Sequence, residues 1–251
     1  LDLNYTKITD DDWRLNINGV INQSNLGSST ADGTEDDGTF NKQINLNSVK
    51  WINDNTKLKS TFYVRETRTY YDDMDYNGEY GYVMDNTMQV FQTSIDSVSK
   101  NMEDLLTFHW QAYAKDIDDG GYSDSYDSQA LATRYEKKFN LSEKSSIGFG
   151  SEYKYDWGGF ENQGSFNSSS KGHVKDFAIF ANAGYKFFDN SIISLYARND
   201  DHNTAGQNNT YRLSFVQTND SFKFGASTAT GLRNPTLYEL FGSNNYGYKG
   251  N

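Results

Sequence analysis

The sequence predicts an all-β protein, an antiparallel up-and-down transmembrane β-barrel, and three observations predict it. Segment after segment alternates apolar and polar residues, the period-two pattern of a strand with two unlike faces. Those segments are joined alternately by short turns and by long polar loops, the connectivity of a barrel whose two ends differ. Of the 251 residues only 35% are hydrophobic while 16% are aromatic, with more Tyr than Phe. That profile is poor for an oily globular core. The apolar pieces fall far short of the ~20 residues a transmembrane helix needs, but each strand of a membrane barrel need be only about half apolar.

Taken in order, Leu1, Leu3 and Tyr5 alternate with Asp2, Asn4 and Thr6, and the acidic turn Asp10, Asp11, Asp12 follows. Leu15, Ile17, Gly19 and Ile21 then oppose Arg14, Asn16 and Asn18, with Trp13 at the start, where an interfacial aromatic lies. Residues 22–38 dissolve into Ser, Gly, Asp and Thr and read as a long loop. A strand from Phe40 to about Trp51 turns at Asn53 to Asn55 into one in which Leu58, Phe62 and Val64 oppose Lys59, Thr61, Tyr63 and Arg65. Residues 70–82 form a Tyr/Asp/Gly loop, and Ser99 to Glu103 is a short turn before Leu106, Phe108, Trp110 and Ala112. Residues 116–127 read as an acidic loop, followed by a strand over 131–139 and a turn at Ser142 to Lys144. The strand with Ile147, Phe149, Ser151 and Tyr153 runs into a Gly/Ser/Asn loop at 157–172. Phe177, Ile179, Ala181, Ala183, Tyr185 and Phe187 make the cleanest apolar stripe, with a tight turn after it at Asp189 to Ser191. Ile193, Leu195 and Ala197 come next, then a loop at 200–208, strands at 211–217 and 222–228 around a turn at Asn219 and Asp220, and a last segment at 233–251.

Composition also limits function. Without cysteine there is no disulfide scaffold or cysteine zinc site, and a net charge of -11 argues against a nucleic-acid partner. A soluble sandwich alternates too, but its loops are not systematically short at one end and long at the other; no fixed-period repeat supports a solenoid. His109, His173 and His202 stand apart without a serine or carboxylate at a recognisable spacing, and no Gly-rich nucleotide loop is present, so the chain reads as a non-enzyme. Arg14, Lys59, Arg65, His109, Arg134, Glu136, Lys138, Glu152, Lys154, Lys186 and Arg198 share the polar parity of their strands, as the wall of a water-filled lumen requires.

The stretch GLRNPTLYELFG, Gly231 to Gly242, holds the single proline, Pro235. Together with Arg198, Asp200, His202, Thr210, Tyr211, Arg233, Leu237 and Leu240 it resembles the TonB-dependent outer-membrane receptor family, in which a barrel strand runs into an Arg-x-Pro-x-Leu-x-x-Leu segment. The resemblance implies that residues 1–251 are part of the receptor barrel domain, about 12 of roughly 22 strands, with the plug domain and the C-terminal strands lying outside the fragment. It further implies the outer membrane of a Gram-negative bacterium, contact with outer-membrane lipid, coupling to the TonB complex through the plug, and import of a small-molecule nutrient. Pro235, which cannot donate a hydrogen bond, is expected to end the strand ladder there.

Within that family the chain is most similar to the vitamin B12 (cobalamin) receptor branch, on the acidic segments Glu35 to Gly38, Arg68 to Asp72 and Val83 to Asp85. Those resemble its paired calcium-holding loops, which implies calcium as a cofactor held by Glu35, Asp37, Asp72 and Asp85 with Tyr71. The chemistry is reasonable, since calcium takes 6–8 oxygen ligands. Ile21 stands where the branch carries a further aspartate. Asp73, Asp75, Asn77 and Gly78 match an EF-hand spacing but Met84 replaces its bidentate glutamate, and flanking helices are missing. The loops at 22–38, 70–82, 116–127, 157–172, 200–208 and 233–251 are the expected nutrient-binding surface. A ferric siderophore or haem receptor, a secreted β-sheet adhesin and a passive porin are the alternatives.

Overall fold

The computed structural model describes residues 1–9, 12–26, 37–72, 81–118, 121–164, 167–188, 190–219 and 221–242. Twelve strands take up nearly all of them: β1 (Asp2–Ile8), β2 (Trp13–Leu26), β3 (Asp37–Asn53), β4 (Thr56–Asp72), β5 (Gly81–Val98), β6 (Met102–Asp118), β7 (Ser123–Asn140), β8 (Ser145–Gln163), β9 (Ser168–Phe188), β10 (Ser191–His202), β11 (Gly206–Thr218) and β12 (Lys223–Ala229). A short helix, α1 (Leu237–Phe241), follows. The strands form one sheet whose spatial order is the sequence order, each pair antiparallel. Among the described residues no second sheet covers it, which removes the sandwich reading.

Register explains how the alternation is used. One face carries the row Tyr5, Ile17, Leu46, Phe62, Phe91, Trp110 and Leu131, each directly opposite the next across β1 to β7. The other carries Asn16, Asn47, Thr61, Gln92, His109, Ala132 and Lys154. Apolar residues on the first face are open: Phe177 is 49% exposed, Ile179 54% and Leu195 51%. The few buried hydrophobics, Phe160, Val174, Ala178 and Phe180, all lie on the polar face. A surface this apolar is stable against lipid and not against water.

The apolar stripe of β9 measures the lipid band. From Phe177 to Phe187 the chain makes ten residue steps, about 33 Å at ~3.3 Å each; at a tilt of ~40° this is about 25 Å of height, the thickness of an outer-membrane barrel's apolar belt. Spanning takes only ~9–11 residues, whereas β9 has 21 and β8 has 19. The strands therefore rise well beyond the membrane on the side away from the short turns.

That excess length corrects the expected loops. Most of 116–127, 157–172 and 200–208 is strand: β6 and β7 close to within residues 119–122, β8 and β9 to within 164–167, and β10 and β11 to within 203–205. The alternation fades there because both faces meet water, so polar side chains suffice and link the strands directly. Ser125 Oγ donates to Asp116 (2.7 Å), Ser168 Oγ to Asn162 (2.9 Å), and Asn199 Nδ2 to Asn209 (2.9 Å). The loops at 22–38 and 70–82 shrink likewise, since β2 reaches Leu26, β3 starts at Asp37, β4 reaches Asp72 and β5 starts at Gly81; residues 27–36 and 73–80 lie outside the described residues.

At the other end the turns are tight for local reasons. Asn53 Oδ1 accepts from the Asn55 amide (3.0 Å), and Ser142 Oγ accepts from the amides of Lys144 and Ser145. A second correction concerns Pro235. The ladder ends earlier, at Ala229, with the Thr230 amide still reaching the Tyr211 carbonyl (2.9 Å). Pro235 sits instead just before the helix N-cap, Thr236.

Candidate functional site

The wet end of the sheet brings together the expected cation ligands only in part. The openings of β3 and β5 and the end of β4 meet there: Gly38 pairs with Tyr70, Tyr71 with Tyr82 and Asp72 with Gly81. Asp37, Tyr71, Asp72 and Asp85 thus come from three adjacent strands at one rim. Glu35 lies outside the described residues, as do the side chains of Asp37, Tyr71 and Asp72. Asp85 is placed, and it is engaged: Arg68, directly opposite it, donates from Nε and Nη2 to its two carboxylate oxygens, both at 2.7 Å. This fork-on-fork contact holds the Asp85 carboxyl below the usual carboxylate range. A cation using Asp85 has to displace a guanidinium, and no group of three metal-ligating side chains converges among the described residues. As placed, Asp85 does not fit a calcium cage.

The polar face carries the denser chemistry. Glu152 on β8 accepts from Arg198 (2.9 Å), Lys154 (3.0 Å) and Arg134 (3.2 Å). Arg134 also reaches Glu136 (3.0 Å) and lies over the Phe180 ring, its Cζ 4.1 Å from the ring centre. Arg198 continues to Asp200 (2.8 Å), and Asn182 donates to Glu136 (3.1 Å). Neighbouring strands put these side chains in lateral contact, so charges of both signs neutralise one another along a wall. Nearer the turns, Asp96 takes Lys59 (2.5 Å) and Lys57 (3.8 Å), and Glu103 takes Lys138 (2.8 Å). The parity assigned to Lys59, Arg134, Glu136, Lys138, Glu152, Lys154 and Arg198 from sequence is the parity they have.

His202 has a structural task. Buried at the tip of β10, its Nδ1 accepts from the amides of Thr204 (3.2 Å) and Ala205 (3.1 Å) and closes the turn into β11. His173 faces the opposite side, beside Tyr155.

The GLRNPTLYELFG stretch folds back over the mouth of the polar face. Thr236 caps α1 in a capping box: its hydroxyl accepts from the Glu239 amide (3.2 Å) and Glu239 accepts from the Thr236 amide (2.8 Å). Arg233 pairs with the same carboxylate. The helix then packs on β8 and β9. Tyr238 meets Phe160 and Tyr126 with ring centres 5.5 and 5.9 Å away, and those two rings meet each other at 5.6 Å. Ser170 donates to the Phe241 carbonyl, and Gly172 leaves room for the Phe241 ring; a Cβ there would lie 2.1 Å from it. Burial and then the nearby Asp124 carboxylate push the Tyr126 phenol up to about 12. Sequence reasoning picked out this stretch but missed its docking partners; the Thr-x-x-Glu box was the readable sign of the helix.

Comparisons agree with this architecture. The family model "TonB dependent receptor-like, beta-barrel" matches residues 2–251. Among solved structures, the siderophore receptor PirA from Acinetobacter baumannii superposes with a TM-score of 0.76 at 14% identity, over 95% of this chain and 41% of that one. The outer membrane transporter YddB from Escherichia coli gives 0.69 at 11% identity, over 86% and 35%. The ferric yersiniabactin uptake receptor FyuA from Yersinia pestis gives 0.63 at 12%, over 88% and 42%. The chain thus spans about two-fifths or less of the length of these proteins. No curated protein sequence is matched. With its lipid-facing apolar face and charged inner wall, the chain belongs to the TonB-dependent receptor β-barrel family of the Gram-negative outer membrane.

Proposed function

We propose that the protein containing this chain imports a scarce nutrient across the outer membrane, driven through the TonB complex by way of a plug domain. The observation that carries the reading is the inner wall. Its charges are mutually paired around Glu152, so it presents hydrogen-bonding groups without a large net field, suited to holding a removable polar plug and to letting a hydrated solute pass. Cobalamin or a related corrinoid is the first substrate proposed, because of the acidic segments at Glu35, Asp72 and Asp85, with calcium as the ion that would order them. The calcium proposal rests on Glu35, Asp37, Tyr71 and Asp72; Asp85 joins only by leaving Arg68. A ferric siderophore is the second reading, favoured by PirA and FyuA, whose names assign them siderophore uptake.

Uptake tests the ranking. A strain lacking the protein should lose corrinoid import and regain it from the intact gene. Normal corrinoid import alongside lost ferric-siderophore import would reverse the order, and no loss of either would reject both.

A further inference from the structure

Two carboxylates of the inner wall stand without a cation. Asp156 on β8 and Asp176 on β9 have the inward parity of Glu152 and Phe180, and they are diagonal neighbours: Asp156 pairs with Val174 and Asp176 with Lys154. Asp176 directly precedes Phe177, the top of the lipid stripe, and Asp156 lies one inward position higher, towards Gly158 and Gly172, where α1 docks. Among the described residues neither carboxylate accepts a hydrogen bond or joins an ion pair, and Asp176 Oδ1 is buried without a donor. By contrast, Asp96, Glu103, Glu136, Glu152 and Asp200 on the same wall each hold a lysine or an arginine.

The groups around the pair explain why no cation reaches it. Lys154 is 3.0 Å from Glu152, and Arg198 on β10 is divided between Glu152 (2.9 Å) and Asp200 (2.8 Å). On β7 the residue opposite Asp156 is Ala130. On β10 the residue opposite Asp176 is His202, whose Nδ1 is committed as acceptor to two turn amides, which leaves the ring proton on Nε2. From α1 come Glu239, taken by Arg233 and the Thr236 amide, and Tyr238, packed on Phe160 and Tyr126.

An unpaired carboxylate out of water is costly as an anion, and a second one beside it adds to the cost; a proton relieves both. Burial first, and then, against the pull of Lys154, the charge of Asp176, push the Asp156 carboxyl above the usual aspartate range; burial and the Asp200 charge do the same for Asp176. We propose that Asp156 and Asp176 act as a proton switch at the mouth of the inner wall, taking up one proton between them before the paired carboxylates of that wall do. In neutral surroundings the mouth then carries two uncompensated negative charges beneath α1, and in more acidic surroundings one. The folded values being raised, the pair's contribution to stability is complete below the ordinary 3.8 and is lost as pH rises through the raised values, opposite in sign to that of Glu239. The inference does not depend on which nutrient is imported.

The test is pH-difference infrared spectroscopy of the full-length receptor in detergent, which reads the carbonyl stretch of protonated carboxyls. On acidification the pair should give an early step, at higher pH than the bulk of the chain's carboxyls. Asp156→Asn and Asp176→Asn should each move that step to lower pH, because either one removes a repelling charge, and the double variant should lose it. Asp54→Asn, at an exposed turn, should leave it in place. In urea unfolding at about pH 7.5 the double variant should resist better than the unsubstituted receptor, with the advantage shrinking as pH falls, since neutral amides replace unpaired charges. Absence of the early step, its survival in the double variant, or a double variant less resistant to urea at neutral pH overturns the proposal. The last is the result expected if a basic group elsewhere in the full-length receptor pairs with the two aspartates.

Discussion

Replacing Tyr238 with alanine should release α1 from the inner wall. The Tyr238 ring makes two aromatic contacts, with Phe160 and Tyr126, and such pairs contribute about 0.5–1.5 kcal/mol each. Losing both lowers the free energy of local opening by about 1–3 kcal/mol, which multiplies the open population roughly 5- to 150-fold. Arg233 reports the opening: its side chain is already 78% exposed, but a protease must unwind the residues after it to cut. Trypsin cleavage after Arg233, followed by mass spectrometry on the full-length receptor in membranes, should accelerate by that factor. Gly172→Ala should act in the same direction, since its methyl occupies the place of the Phe241 ring, and the double variant should be little worse than either single one because both abolish one docking event. Cleavage rates within twofold of the unsubstituted receptor in Tyr238→Ala would refute the docking argument.

Three further outcomes follow from the geometry. Glu152→Gln leaves Arg134, Lys154 and Arg198 without their shared carboxylate; with Glu152 only 11% exposed and Arg198 15%, the receptor should lose about 2–4 kcal/mol in urea unfolding followed by heat-modifiable gel mobility. The proposed calcium site predicts that Arg68→Ala, which frees Asp85 from its ion pair, binds calcium more tightly than the unsubstituted receptor in calorimetric titration, and that Asp37→Ala plus Asp72→Ala removes the binding; unchanged affinity in Arg68→Ala would remove Asp85 from the proposed site. The Glu239 carboxyl is held below its usual value by the Thr236 amide and then by Arg233. Its folded value being depressed, its contribution is complete above the ordinary 4.5 and is lost as pH falls through the lowered value. Hydrogen exchange over residues 237–241, corrected for intrinsic rates, should therefore be flat from about pH 8 to 5 and quicken only below the ordinary glutamate range.

The membrane-embedded part of the fold was legible because lipid and water impose opposite demands on alternate residues. Ile179 and Phe180 are neighbours in sequence, one open to lipid and one buried under Arg134, and period-two reading separates them. Above the lipid that contrast vanishes. Ser125, Asp116, Asn162 and Ser168 look like loop residues and are strand residues, since cross-strand hydrogen bonds, invisible to a composition count, hold them in register. The inner-wall charges were readable by parity, but their partners were not, because Glu152 and Arg198 are 46 residues apart and meet only through β9. Lys171 was hidden inside the segment 157–172, read as loop, and is a β9 residue.

The continuity of β8 and β9 from turn to rim also governs how such a protein can change. Each strand is a single ratchet of alternating directions, so adding one residue within it would turn every position above the insertion inside out, exchanging lipid-facing and inner-wall side chains at once. Additions at a hairpin tip carry no such penalty. New ligand preferences are therefore cheapest at the connections 119–122, 164–167 and 203–205, while the long polar staves beneath them stay constant in length and raise any variable tip clear of the lipid.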